Sequence, residues 1–482
     1  MEAAPTDDVP QTGAEIYPGE PGHALGRSLK SRHVTMISIG GIIGAGLFVG
    51  SSASIATVGP AVIVSYALAG MLVLFVMRML SEMAVSTPGT RSFPDFARMG
   101  LGNWAGFLSG WLYWYFWVVV VAIEAIAGAV IVHGWIDLPV WTIGVLLMAA
   151  LTAVNLLSTR SYGEFEFWLS SIKVAAIVVF IVVVAGYLLG GGTGRPLATN
   201  LTAHGGFMPF GVKSVLAGIT SVIFALTGAE IATIAAAESV EPARTVARMT
   251  GTVALRILIF YILSILLIVA TVPWPQVRPG VSPFATALDA IGIPGAAEIM
   301  TAVVLVAVIS CLNSGLYVTS RVLFALAARH EAPAVLVRLN RRRVPARAIL
   351  IASLFSYVAL AASVLSPTVV FSFLVNASGA LMLIIYMLLA MAQIRLRRQT
   401  EREGRGEALQ LRMWLFPWLS YLTVFAIAAV LAAMALSPDL ASQLYSSLLV
   451  VALALAAYGA VRIKRPGAVS DMTRREHRSS SV

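Results

Sequence analysis

The sequence predicts an all-α integral membrane protein on three observations: an apolar composition, twelve apolar runs of membrane-crossing length, and two glycine-centred breaks at matching places in those runs. Hydrophobic residues make up 59% of the chain and charged residues only 12%. With a mean hydropathy of +0.87, this lies far from soluble averages. Crossing roughly 30 Å of hydrocarbon takes about 20 helical residues. Runs of that kind fall near 34–57, 60–85, 104–133, 139–158, 167–189, 213–238, 249–272, 294–328, 345–365, 368–393, 413–435 and 439–462.

The runs follow one another through short loops, so no soluble region is large enough to bury a core of its own. Residues 1–33 read as a cytoplasmic tail whose first part is polar and rich in Pro, Gly, Asp and Glu, with no cleavable-signal pattern. The basic, serine-rich stretch 463–482 reads as a second cytoplasmic tail. The net charge of +10 comes from 33 Lys and Arg against 23 Asp and Glu. These basic residues sit in alternating loops rather than on one soluble face, which argues for positive-inside topology and against a nucleic-acid partner. With the amino terminus inside, only Lys213, Arg195 and Arg278 fall on or beside external loops. The Arg341-Arg342-Arg343 run and the Arg395, Arg397, Arg398 cluster then fall inside. That places the chain in a cytoplasmic membrane, multi-pass, with both termini in the cytoplasm.

The breaks are Gly40-Gly41-Ile42-Ile43-Gly44-Ala45-Gly46 in the first run and Thr227-Gly228-Ala229-Glu230 in the sixth. Backbone leaves the helix at membrane depth only where protein or a watery cavity receives the freed groups. Gly44 and Glu230 stand 186 residues apart. If runs one to five and six to ten are two copies, five being odd gives them opposite orientation, and the two broken helices meet near the midplane. Half-helix amino ends offer amides and half-helix carboxyl ends offer carbonyls, a combination suited to a zwitterion. Close packing of small residues is the competing explanation for such glycines.

Ionisable residues inside the runs are costly without a partner or a function. Lys173 lies about seven residues into the fifth run. Glu230, beside the second break, has two open roles: balancing a substrate ammonium, or holding a hydrogen-bonded gate. Glu238 lies two turns further on, with Arg244 and Arg248 as ion-pair partners. Glu124 follows the aromatic stretch Tyr113-Trp114-Tyr115-Phe116-Trp117, which either lines a cavity or simply packs. Asn313, flanked by Ser310 and Ser314, supports a coupling site or stitches helices together. Glu82 and Arg78, one turn apart, read as a pair on the helix surface. The single cysteine, Cys311, excludes an internal disulfide and a thiolate metal cluster. There is no Gly-x-x-x-x-Gly-Lys loop, no metal-ligand spacing among the histidines and no catalytic grouping. The expectation is a transporter rather than an enzyme, without cofactor or metal, drawing its energy from a gradient.

At Gly40 to Ser52, at Tyr162-Gly163-Glu164-Phe165-Glu166-Phe167-Trp168 and at Gly228 to Ser239 the chain resembles the amino acid permeases of the amino acid-polyamine-organocation superfamily. The Leu47-Phe48-Val49-Gly50-Ser51-Ser52 ending, the run from Glu230 to Ser239 and Ser310-Cys311-Leu312-Asn313-Ser314 are most similar to bacterial 4-aminobutyrate permeases. The resemblance implies a five-plus-five inverted-repeat core, with broken helices 1 and 6 and two additional helices. It divides the chain into a first repeat at 34–189, an external loop at 190–212, a second repeat at 213–393, a cytoplasmic loop at 394–412 and the last two helices at 413–462. It implies proton-coupled uptake of 4-aminobutyrate or a similar short zwitterion, with an α-amino acid, exchange or ligand sensing without transport as alternatives. It also implies that amides around Gly44, Ala45 and Gly46 take the substrate carboxylate, and that carbonyls at Ile42, Phe224 and Thr227 take the ammonium. Lys173 is then the proton-coupling group, standing in for the cation that bridges the first and eighth helices in sodium-driven relatives. The expected partners are the amino acid, protons and membrane lipid.

Overall fold

The computed structural model of the chain describes residues 43–87, 93–157, 159–190, 199–228, 230, 255, 257–340, 344–362, 364 and 366–464. Among these the regular structure is helical, with no strand. The first broken run becomes α1 (Ala45–Phe48) and α2 (Gly50–Val58), interrupted at Val49, whose φ of −124° lies outside the helical range. Gly59 then turns the chain at φ +75°, where a side chain would meet Pro209. Beyond it come α3 (Val62–Ser86), α4 (Phe93–Leu101), α5 (Asn103–His133), α6 (Val140–Leu157) and α7 (Thr159–Leu189).

The second broken run opens with α8 (Gly211–Leu226). A seven-residue π-helical stretch, Ile257–Leu263, leads into α9 (Ser264–Thr271). The chain continues through α10 (Pro283–Ile291), α11 (Ala296–Ala328), α12 (Ala346–Ala362), α13 (Pro367–Arg402), α14 (Trp418–Ala435) and α15 (Pro438–Lys464).

Among the described residues seven helical stretches are long and apolar enough to cross a membrane: Ala45–Ser86, Asn103–His133, Glu166–Leu189, Ala296–Ala328, Pro367–Arg402, Trp418–Ala435 and Pro438–Ile463. The first of these covers two of the expected runs. Four shorter apolar helices, Val140–Leu156, Gly211–Leu226, Ile257–Thr271 and Ala346–Ala362, fall on the expected runs at 139–158, 213–238, 249–272 and 345–365. Two short helices, α4 and α10, lie between expected runs. The tenth run ends late, because α13 continues to Arg402. Its extra turns carry Arg397, whose guanidinium reaches the buried Glu82 of α3 and, at the helix surface, Glu401 one turn on.

The bundle has a clear inside and outside. In the apolar windows of α5 and α13, 78% of the residues are buried, against 11% in α15. The outer helices instead turn Val179 and Val182 of α7, Phe425 of α14 and Leu449 and Leu453 of α15 outward. In water such faces would be a liability, whereas hydrocarbon chains accept them without cost. α5 packs along α11, α13 and α4, so it is the shaft on which the site is built. Small residues permit the closest approaches. A Cβ at Gly379 of α13 would run into the backbone carbonyl of Thr220 in α8, and one at Gly100 of α4 would meet Ala392 Cα at 2.7 Å.

Glu82 corrects the expectation of a surface pair with Arg78. Its side chain is buried. Oε1 accepts from Gln393 Nε2 at 3.0 Å, and Oε2 accepts from Arg397 Nη1 at 3.4 Å and from the Met413 amide at 2.5 Å. Gln393 Oε1 in turn accepts from Ser420 of α14. Arg78 turns away to the Arg412 carbonyl and the Trp414 ring. One turn of separation permits a helix-surface pair. Here the deeper donors won, because a buried carboxylate needs several hydrogen bonds to offset its lost hydration. Glu82→Ala is therefore expected to destabilise the detergent-solubilised protein by about 3 kcal/mol, the scale for breaking a buried pair. Thermal unfolding reports this directly, and an unchanged melting temperature would show that the network carries no stability.

Candidate functional site

The two breaks meet. α8 ends at Leu226, Thr227 is extended (φ −64°, ψ 151°), and Gly228 takes a positive φ of 107° that a side chain would strain. The break at Gly44 presses against this segment. A Cβ on Gly46 would lie 2.9 Å from Ala225 Cα and 3.0 Å from the Phe224 ring. Between them lies a small cavity lined by Gly46, Phe116, Trp117, Val120, Glu124, Phe224, Ala225, Thr227 and Cys311. The lining thus draws on α1, α5, α8 and α11. Phe116, Trp117, Val120 and Glu124 recur at three- and four-residue intervals, the spacing of one helix face. Trp114 instead packs edge-on against Phe355. The aromatic stretch thereby does both things its sequence allowed.

Lys173 is fully buried and ties three elements together. Its ammonium donates to the Ile43 carbonyl at 3.0 Å, beside the first break, and to Ser310 Oγ of α11 at 2.7 Å. Glu166, also fully buried, lies 3.7 Å from the ammonium. Its Oε1 accepts from Ser310 at 2.6 Å and from Ser170 at 3.0 Å. A buried charge is tolerated when it is paired and hydrogen-bonded, and Lys173 is both. The Lys173 side chain thereby links the first break to α11.

Glu230 is buried beside the second break rather than in the cavity wall. It accepts from the Gly228 amide at 2.9 Å, from Tyr113 Oη at 3.3 Å and from Tyr386 Oη at 3.5 Å. This joins the broken segment to α5 and α13. Asn313 bonds Asn155 of α6 through its Oδ1 at 2.8 Å, stitching α11 to α6 next to the lysine site. Glu124 meets the first break directly: the Ala45 amide lies 3.0 Å from each of its carboxylate oxygens. Of the remaining expected site residues, Ile42 and Glu238 lie outside the described residues, as do Arg244 and Arg248.

Sequence reasoning missed three participants. Glu166 stands seven residues before Lys173, two helical turns on the same face, and that spacing was the available signal. Tyr113 was seen only as one of a run of aromatics. Tyr386, far along the chain from Glu230, gave no local signal at all. Among the described residues no cluster of His, Cys, Asp and Glu has the arrangement of a metal site.

Comparison with known proteins follows the same lines. The family model described as amino acid permease matches residues 33–466. A gamma-aminobutyric acid permease of Bacillus subtilis is 47% identical over 437 residues, covering 90% of this chain and 93% of its own. A gamma-aminobutyric acid permease of Escherichia coli is 45% identical, covering 86% of this chain and 90% of its own. The aromatic amino acid transport protein AroP of Corynebacterium glutamicum is 36% identical, with 88% of this chain covered and 92% of its own. A solved manganese transporter of Eremococcus coleocola shares the fold, with a TM-score of 0.57 at 13% identity over 91% of this chain and 94% of that one.

Proposed function

The chain belongs to the amino acid permease family, and from that premise we propose that it imports 4-aminobutyrate or a similar short zwitterionic amino acid, driven by protons, by alternating access. In this reading the twelve expected runs all cross the cytoplasmic membrane, ten of them as two inverted repeats, and both termini face the cytoplasm. A membrane transporter of this family is not an enzyme; its work is a change of exposure of one central site.

The observation that carries the proposal is the convergence of the two breaks with Lys173. Gly46 lies against Phe224 and Ala225 at the cavity, while the Lys173 ammonium links the Ile43 carbonyl to Ser310. Substrate and proton thus act on the same short segment of backbone. The substrate carboxylate is taken by amides around Ala45 and Gly46, and the ammonium by carbonyls at Phe224 and Thr227, with Ile42 completing the set. Glu230 keeps the second break in shape through Gly228, Tyr113 and Tyr386, a gate role rather than a substrate contact. A protonated Lys173 knits the first break to α11. Losing that proton frees the break to move. Because either ligand biases the same element, each strengthens the other's hold, which is what symport requires thermodynamically.

Backbone contacts recognise the charged ends but not the distance between them. That distance is set by the side chains of Phe116, Trp117 and Val120 in the cavity wall. The test is uptake of labelled 4-aminobutyrate by liposomes holding the purified protein, challenged with a panel of unlabelled amino acids. The expected result is strongest competition by short omega-amino acids. Competition led instead by a neutral, aromatic or basic α-amino acid would move the protein to another branch of the family.

A further inference from the structure

The amide that the proposed site offers to a substrate carboxylate already holds one. Glu124 comes from α5, 79 residues along the chain from Ala45, and sets both carboxylate oxygens 3.0 Å from the Ala45 nitrogen. The place is built for it. A Cβ on Gly44 would lie 2.5 Å from Glu124 Oε1 and 2.6 Å from Cys311 Cβ, so glycine there leaves room for the carboxylate. Glu124 is only 1% exposed, yet it forms part of the cavity wall.

We propose that Glu124 is a tethered competitor of the substrate: its carboxylate occupies the substrate-carboxylate position in the empty site and must be displaced for substrate to seat. This rests on the assignment of the Ala45 amide under Proposed function. An amide has one proton to give, so a carboxyl group already seated on it must leave before another can take its place. Occupancy by Glu124 and by substrate is therefore exclusive. The substrate's apparent affinity is reduced by the fraction of molecules in which Glu124 holds the amide.

The competitor also confers specificity. A zwitterion that evicts Glu124 brings an ammonium to the Phe224 and Thr227 carbonyls, which compensates for the lost contact. A plain monocarboxylate brings no such group, so it cannot displace the resident carboxylate. Glu124 thus rejects fatty acids and other amine-free carboxylates that would otherwise fit the amide, a form of discrimination built against the wrong ligand.

The test is equilibrium binding of labelled 4-aminobutyrate to the purified full-length chain, with butyrate as the amine-free competitor. In the wild type, butyrate in large excess should leave binding unchanged. In Glu124→Ala, 4-aminobutyrate should bind roughly tenfold more tightly, as expected when a competing state is removed, and butyrate should displace it. Glu124→Gln keeps side-chain volume and an acceptor for the Ala45 amide while losing the charge. It should gain butyrate sensitivity in smaller measure, so the question stays answerable if the alanine variant does not fold. Equal or weaker binding in both variants, with butyrate still inert, overturns the competitor. A wild type that binds no amino acid of the panel overturns the site assignment beneath it.

Discussion

Replacing Lys173 with alanine is expected to abolish accumulation of substrate against its gradient while leaving exchange of substrate across the membrane measurable. The ammonium is fully buried and joins the Ile43 carbonyl, Ser310 and, at 3.7 Å, Glu166. Removing one partner of such a group costs about 3–5 kcal/mol, because the other is left buried and uncompensated. That loss alone would lower stability, so Lys173→Met combined with Glu166→Gln is the fairer comparison: it removes both charges and preserves volume. Counterflow should persist in the double variant, since the cavity residues are untouched, whereas proton-driven accumulation should fall to the level of empty liposomes. Accumulation that still follows an imposed proton gradient in a folded variant would remove Lys173 from the coupling role.

The second large effect is expected at Gly44. An alanine methyl there would sit 2.5 Å from Glu124 Oε1, 2.6 Å from Cys311 Cβ and 2.7 Å from Cys311 Sγ. Real Cβ atoms do not approach neighbours so closely, and neither α5 nor α11 can retreat without disturbing the cavity they share. Forcing an extra methyl into a filled site costs about 1–3 kcal/mol, so if that cost falls on the transport-competent state, uptake should drop by roughly 5- to 150-fold. The companion change Cys311→Gly removes both the Cβ and the Sγ that crowd the new methyl and should restore part of the activity. Initial rates of labelled uptake, normalised to protein in the membrane, decide the matter. Wild-type rates in Gly44→Ala would mean that the first break does not have the close fit described here.

The sequence announced the site unevenly. The glycine clusters and Glu230 were legible because local rules apply to them: a helix broken inside hydrocarbon and a charge placed there are both expensive. Lys173 was legible for the same reason. Its partners were less so. Glu166 carried a periodic signal at two helical turns, but Ser310 and Ile43 reach the lysine only through packing of distant segments. The surface pairing of Glu82 with Arg78 failed because helix spacing says who can meet along one helix. It does not weigh the buried donors that Gln393, Arg397 and the Met413 amide bring from elsewhere. The occupation of the Ala45 amide by Glu124 is of the same kind. An acidic residue in an apolar helix was visible, whereas its target, 79 residues away, depends on how α5 stands against the first break.

Among the described residues seven helical stretches reach membrane-crossing length, and the ends of the runs were the least legible feature. α13 outlasts its apolar stretch where Arg397 pairs with the buried Glu82 and with Glu401 one turn further along its own helix. α14 begins only at Trp418, just after Pro417, whose ring has no N–H to give and favours the first positions of a helix.

Proton-driven uptake is tested most directly by accumulation of labelled 4-aminobutyrate in liposomes carrying the purified wild-type chain, with and without an inward proton gradient. Accumulation above the outside concentration is expected when the gradient is imposed, and collapse to simple equilibration when a protonophore dissipates it. Uptake that reaches the same level with and without the gradient would contradict proton coupling, and with it the role given to Lys173.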